Sequence, residues 1–164
     1  MIAVDAALIA QAAELLEGCR ARGITLVTAE SCTGGLLAAT LTAVPGASDV
    51  VERGFVTYSN AAKSEMLGVP VWLIERHGAA SEDVARAMAG GALTHSRASL
   101  AIAVTGIAGP DGGSAEKPVG LVHFAAGQRD QAISHERVLF GDLGRSEIRR
   151  LSVERAFRLI ASLL

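Results

Sequence analysis

Residues 24–30 (ITLVTAE) read as a buried strand and 99–106 (SLAIAVTG) as a strand continuous in apolar character, and each runs into a turn rich in hydroxyls and glycine. Strands read this way when helices cover both faces of their sheet, because neither side then meets solvent. Helical patterns separate them. Apolar positions 8, 9, 12, 15 and 16 put one face on a helix over residues 5–21, and a second helix is expected at about 34–44, closed by the Pro-Gly of VPGAS. VVERGFVTYS (50–59) reads as a strand, followed by a short helix that Asn60 would cap, and another short helix at 70–77. Ser81, Glu82 and Asp83 open a helix reaching about residue 96, inside which Gly90 and Gly91 point to close packing. VGLVHFAAG and QAISHERVLF form a hairpin around residues 128–130, and a last helix takes residues 144–163. Helices alternating with strands, plus one hairpin, predict an α/β fold: a three-layer α/β/α sandwich with a mixed, mainly parallel sheet, as a single domain over residues 1–164.

A chain of 164 residues buries roughly 68–70% of its unfolded surface, enough for a real core. The formal net charge of −2, with no basic run long enough to track a phosphate backbone, speaks against direct nucleic-acid binding. The first twenty residues lack a basic leader and carry Asp5, Glu14 and Glu17, so they predict an amphipathic helix, no signal peptide, no membrane span and a cytoplasmic location. Cys19 and Cys32 form no CxxC pair, and His77, His95, His123 and His135 read as isolated positions, so no metal site is expected. Of fifteen cationic residues, thirteen are arginine; Lys63 and Lys117 are the two lysines. Arginine stays protonated in proteins, whereas a desolvated lysine can lose its proton. The one tyrosine, Tyr58, lies five residues before Lys63.

Ligands of open α/β sheets bind beyond the carboxyl ends of the strands. ESCTGG (30–35) and the loop GIAGPDGGSAEKP (106–118) both follow strands, and they share one edge if those strands run parallel. Ser31 ahead of a helix start suits a nucleophile, with the Cys32 and Thr33 amides as an oxyanion hole. The alternatives are that Ser31 or Thr33 is only a helix cap, or that Cys32 is the nucleophile or a small core residue. No histidine is well placed as a base. An uncharged Lys63 could serve, although a lysine at its usual pKa of about 10.4 is neutral in roughly one molecule in 2,500 at pH 7. Thr105 would face the same cleft. The loop lacks GxGxxG and GxxxxGK[ST], yet Gly106, Gly109 and Gly112 suggest backbone close to a ligand. Arg145 and Arg149, four residues apart, could bind phosphate or could pair with Glu147 and Glu154 on a solvated face.

The segments TAESCTGGLLAATLTAVPGAS, RGFVTYSNAAKSEMLGV, GAASEDVARAMAGGA and AVTGIAGPDGGSAEKPVGLVHFA closely resemble the competence/damage-inducible CinA C-terminal family. The resemblance spans essentially the whole chain, in the stand-alone form without the family's molybdopterin-binding-like domain. It implies a nicotinamide mononucleotide amidohydrolase in pyridine nucleotide salvage, working without metal or cofactor. Ser31 would be the nucleophile and Lys63 the base, with Tyr58 and Thr105 in support and the backbone of Cys32 and Thr33 holding the oxyanion. Glu30, Gly34, Gly35, Gly106, Gly109, Gly112, Arg145 and Arg149 would bind substrate. The resemblance also favours a homo-oligomer, a dimer first, over a monomer. A related amidase for another amide, or a non-enzymatic interaction module, are the competing readings.

Overall fold

A computed structural model describes residues 4–164; the first three residues of the segment read as leaderless lie outside it. The chain runs α1 (Ala6–Ala21), β1 (Leu26–Glu30), α2 (Leu36–Thr42), β2 (Val51–Val56), α3 (Asn60–Leu67), α4 (Val71–His77), α5 (Glu82–Thr94), β3 (Leu100–Gly106), β4 (Leu121–Gln128), β5 (Ser134–Leu139) and α6 (Arg145–Ala161). One sheet has the order β2-β1-β3-β4-β5. β1 is parallel to β2 and β3, β4 is antiparallel to β3, and β5 is antiparallel to β4. Only β4 therefore runs against the other strands, and the sheet is mixed and mainly parallel.

Side chains divide by face. Leu26, Leu100, Ile102, Val104 and Phe124 join Leu8, Leu16, Leu37, Ile148 and Phe157 in a core under α1, α2 and α6. On the other face Val27, Ala29, Ala101, Ala103 and Ala125 meet Val84, Ala85, Met88, Ala89 and Ala92 of α5. Alanine on both partners lets α5 sit close to the sheet. Gly91 lets α3 sit equally close to α5, since a Cβ there would lie 2.0 Å from the Leu67 carbonyl oxygen. These two cores make the sandwich three layers.

Boundaries moved where local chemistry overrode periodicity. The helix expected from residue 34 begins at Leu36, because Gly34 and Gly35 take φ of 57° and 96° and leave the helical region. The strand expected over 50–59 ends at Val56, and its edge position leaves none of its residues buried. Asn60 is the first helical residue; the cap is Ser59, whose Oγ accepts from the Ala62 N–H at 3.0 Å. Ser81 caps α5 as expected, accepting from the Val84 N–H. The hairpin turn places Asp130 at φ 63°, the one non-glycine positive φ among the described residues.

Candidate active site

The parallel strands β1, β2 and β3 bring their carboxyl ends to one edge, where Glu30 pairs with both Val56 and Val104. The chain steps from β1 outward to β2 and then crosses to β3 on the opposite side, so β1 and β3 flank a topological switch point. Ser31 leaves the sheet there, its N–H still donating to the Val104 carbonyl at 2.9 Å. The following turn is closed by the Gly34 N–H on the Ser31 carbonyl.

A helix starting at this turn has orphan N–H groups and no side-chain cap, since its cap residue is Gly35. Glu30 supplies what is missing. Its carboxylate is fully buried and accepts from the Leu37 N–H at 2.8 Å and the Ala38 N–H at 3.1 Å. A negative charge at the positive end of a helix is stabilising, and the contact ties α2 to the end of β1. The substrate-binding role expected for Glu30 is thereby corrected: both oxygens are bonded to backbone and the side chain is sealed off. Neither Ser31 nor Thr33 caps α2, which removes the purely structural reading of Ser31.

Lys63 occupies the second turn of α3 and is only 1% exposed. Its Nζ donates to the Thr57 carbonyl at 2.8 Å and stands 3.0 Å from Ser31 Oγ. Thr57 is itself anchored, its N–H donating to the Glu30 carbonyl at 2.8 Å. Burial pushes the Lys63 pKa below the ordinary lysine value, and no carboxylate contributes an opposing pull. An uncharged amine in this place donates to Thr57 and offers its lone pair to the Ser31 hydroxyl. The neighbouring Cys32 thiol is pushed up to about 12 by burial, so it is protonated and poorly nucleophilic. That contrast favours the hydroxyl over the thiol as the reactive group.

Ser31, Cys32, Lys63 and Thr105 open on a cavity of about 430 Å³, with Tyr58 and Arg145 also on its wall. Gly106, Gly109 and Gly112 border it from the long loop. Thr105 Oγ1 donates to the Ala79 carbonyl at 2.8 Å, fixing the 78–80 segment that lines the opposite side. Tyr58 is 59% exposed, and its hydroxyl accepts from Arg145 Nη2 at 2.6 Å. The tyrosine therefore stands at the wall of the cavity, bonded to arginine and to neither Ser31 nor Lys63. Among the described residues the Cys32 and Thr33 N–H groups have no backbone acceptor, and of the two residues only Cys32 lines the cavity.

Other expected site residues fall outside the cavity lining. Thr33 is fully buried, and Gly34 and Gly35 turn towards Arg149 and Val56. Arg149, expected on phosphate, donates from Nη2 to the Thr33 carbonyl at 2.9 Å and braces the turn from behind. The Glu147 and Glu154 pairing belongs to Arg150, one position on, because that residue faces both carboxylates. The histidines are not all isolated: His123 and His135, diagonal neighbours on the β4–β5 ladder, lie 2.9 Å apart between Nδ1 and Nε2. Burial lowers the His123 pKa to about 4. Lys117 also borders the cavity and was not expected there; the scarcity of lysine in an arginine-rich chain was the signal that pointed to it.

Known proteins resemble this chain in sequence and in fold. The chain is 48% identical over 147 residues to the nicotinamide-nucleotide amidohydrolase PncC of Escherichia coli K12, covering 89% of this chain and 88% of that one. It is 63% identical over 108 residues to a putative competence-damage inducible protein of Symbiobacterium thermophilum, covering 66% of this chain and 25% of that longer protein. Against a CinA-like protein of Anaeromyxobacter it spans 34% of the relative's length at 50% identity. The solved competence/damage inducible protein CihA of Agrobacterium tumefaciens superposes with a TM-score of 0.95 at 48% identity, over 99% of this chain and 98% of that one. A CinA superfamily protein of Escherichia coli does so at 0.91 and 33% identity. The CinA C-terminal domain model matches residues 8–164, and the chain belongs to that family.

Proposed function

We propose that this chain is a nicotinamide-nucleotide amidohydrolase that converts nicotinamide mononucleotide to nicotinate mononucleotide and ammonia, with Ser31 as nucleophile and Lys63 as base. The observation that carries the reading is the buried Lys63 amine, without a carboxylate partner, 3.0 Å from Ser31 Oγ at the floor of a cleft. The similarity to PncC supports the substrate.

Ser31 Oγ attacks the carboxamide carbon while its proton passes to Lys63 Nζ. The oxyanion that forms meets the N–H of Cys32, the residue of the expected Cys32–Thr33 pair that lines the cavity. Lys63 then returns the proton to the departing nitrogen, the C–N bond breaks, and ammonia leaves an acyl-serine. Water attacks this ester as Lys63 accepts its proton, the C–Oγ bond breaks, and Lys63 reprotonates Ser31. One amide and one water become one carboxylic acid and one ammonia. Proton return is assigned to Lys63, which stands 3.0 Å from Ser31 Oγ, whereas the Tyr58 hydroxyl bonds Arg145 and neither Ser31 nor Lys63.

Ammonia release from nicotinamide mononucleotide tests the reading, with free nicotinamide and NAD as comparison substrates. Ser31→Ala is expected to be inactive and Cys32→Ala to keep most of its rate. The reverse pattern makes the thiol the nucleophile, and a folded wild-type protein that releases no ammonia returns the chain to the reading of an interaction module.

A further inference from the structure

Away from the catalytic pair, two histidines and a carboxylate meet where the β4–β5 hairpin lies against the start of α5. His123 on β4 is buried, and the His135 side chain on β5 is 10% exposed. Their rings stack at 24° with centroids 5.1 Å apart, and His123 Nδ1 lies 2.9 Å from His135 Nε2. On its other side His135 Nδ1 stands 3.6 Å from Glu82 Oε2, in the first turn of α5. Glu82 pairs in turn with Arg86, which donates to the Ile133 carbonyl just ahead of β5. β5 is the edge strand and none of its residues is buried, so this row of polar groups is a main tie between the strand and the helix.

A contact between two ring nitrogens holds one hydrogen: one ring donates and the other accepts. With both rings neutral, His135 Nδ1–H faces Glu82 and its Nε2 accepts from His123 Nδ1–H. One added proton makes His135 a cation that donates on both sides, to Glu82 and to His123, which then carries its own hydrogen on Nε2. The row stays closed. A second proton makes both facing nitrogens donors at 2.9 Å, and the contact must open.

The surrounding charges set the order. His135 faces Glu82, Asp83 and Arg86 of α5 and Glu136 of its own strand, and Asp83 also lies 3.4 Å from His77 of α4. His123 faces Arg137 of β5, Lys117 of the loop before β4, and Glu82. Three carboxylates surround His135 and two cations flank His123, so the first proton goes to His135 and the second is resisted. Burial adds to this, holding the His123 pKa down at about 4 and that of His135 below the ordinary histidine value.

We infer that His123, His135 and Glu82 form a two-step acid latch, which takes up one proton closed and releases the β4–β5 hairpin from α5 on the second. Thr105, the ladder partner of His123, borders the cavity, so an opened latch loosens that wall. Both folded pKa values lie below the unfolded one of about 6.5, so under that pH the unfolded chain holds more protons. The latch's contribution to stability is fully present above this value and is lost as pH falls towards about 4. The latch is independent of the reaction proposed above.

The experiment follows the histidine ring protons by NMR from about pH 7.5 to about pH 3.5 in the wild type, His123→Gln, His135→Gln and Glu82→Gln, with signals assigned by their loss in the variants. Hydrogen exchange of the β5 amides is measured over the same range. In the wild type His135 is expected to titrate first and His123 last. Without the neighbouring cation, His123 in His135→Gln is expected to take its proton about one pH unit earlier, the coupling of adjacent ionisable groups. Protection of β5 is expected to fall at least about tenfold in the wild type as the second proton binds, and to hold in His123→Gln, whose amide bonds His135 in either protonation state. A His123 titration unmoved in His135→Gln, or β5 protection that falls alike in the wild type and His123→Gln, overturns the latch. Should His123→Gln not fold, His135→Gln must still raise the His123 pKa and Glu82→Gln must lower that of His135; the absence of either shift also overturns it.

Discussion

Replacing Lys63 by methionine separates the two things that the buried amine does. The thioether approximates the stem in length and volume, so packing of α3 is largely retained. Two opposing effects follow. The bonds at 2.8 Å and 3.0 Å to Thr57 and Ser31 disappear, about 1 kcal/mol each. Against this, the wild type must bring an amine that is charged when unfolded into a site that disfavours its charge. That costs about 1.4 kcal/mol for each pH unit by which the pKa is lowered. The folded pKa lies below the unfolded one of about 10.4, so between the two values the unfolded chain holds more protons. Wild-type stability therefore rises with pH across that window, and the cost is fully present below it; the methionine variant has no such dependence. Urea unfolding at about pH 7.5 and about pH 9.5 is expected to show the wild type gaining up to about 2.7 kcal/mol on the variant. Far-UV circular dichroism is the right probe, since the single tryptophan, Trp72, is 59% exposed. In parallel, ammonia release falls at least about 100-fold in the variant, and wild-type activity declines as pH drops through the lowered Lys63 pKa. Stability curves that stay parallel, or a uniform loss of about 3–5 kcal/mol as for a broken buried ion pair, would refute the uncharged amine.

Glu30→Ala strips two hydrogen bonds to a charged group from the start of α2 and is expected to lower stability by about 3 kcal/mol in urea unfolding. A variant of undiminished stability with a raised KM would instead put Glu30 on the substrate. Gly91→Ala sets a Cβ 2.0 Å from the Leu67 carbonyl oxygen, so α3 must shift. Overpacking of about 1–3 kcal/mol outweighs a helix-propensity gain of about 1 kcal/mol, and kcat falls because Lys63 rides on α3. Gly90→Ala meets nothing closer than Ile133 Cδ1 at 3.6 Å and is expected to stabilise by up to about 1 kcal/mol in the same assay.

Local pattern determined most of the architecture. The continuous apolar run at β3 announces a strand covered on both faces, and the caps and glycines along the chain bound the helices to within a few residues. The parallel arrangement then brings the turn at Ser31 and the glycine loop to one edge, as their positions after strands implied. What pattern cannot carry is distance between residues far apart in the chain. Lys63 meets Ser31 across 32 positions only because β1 and β2 are neighbours and α3 returns its second turn over their ends. Glu30 looks like a binding residue until α2 is seen folding its bare N–H groups onto it. Arg145 and Arg149 share a helix, yet one borders the cavity and the other braces the back of the Ser31 turn, a difference set by where α6 lies on the sheet. Burial, which lowers the Lys63 pKa and raises that of Cys32, belongs to the packed molecule: desolvation acts on a side chain only once the rest of the chain surrounds it.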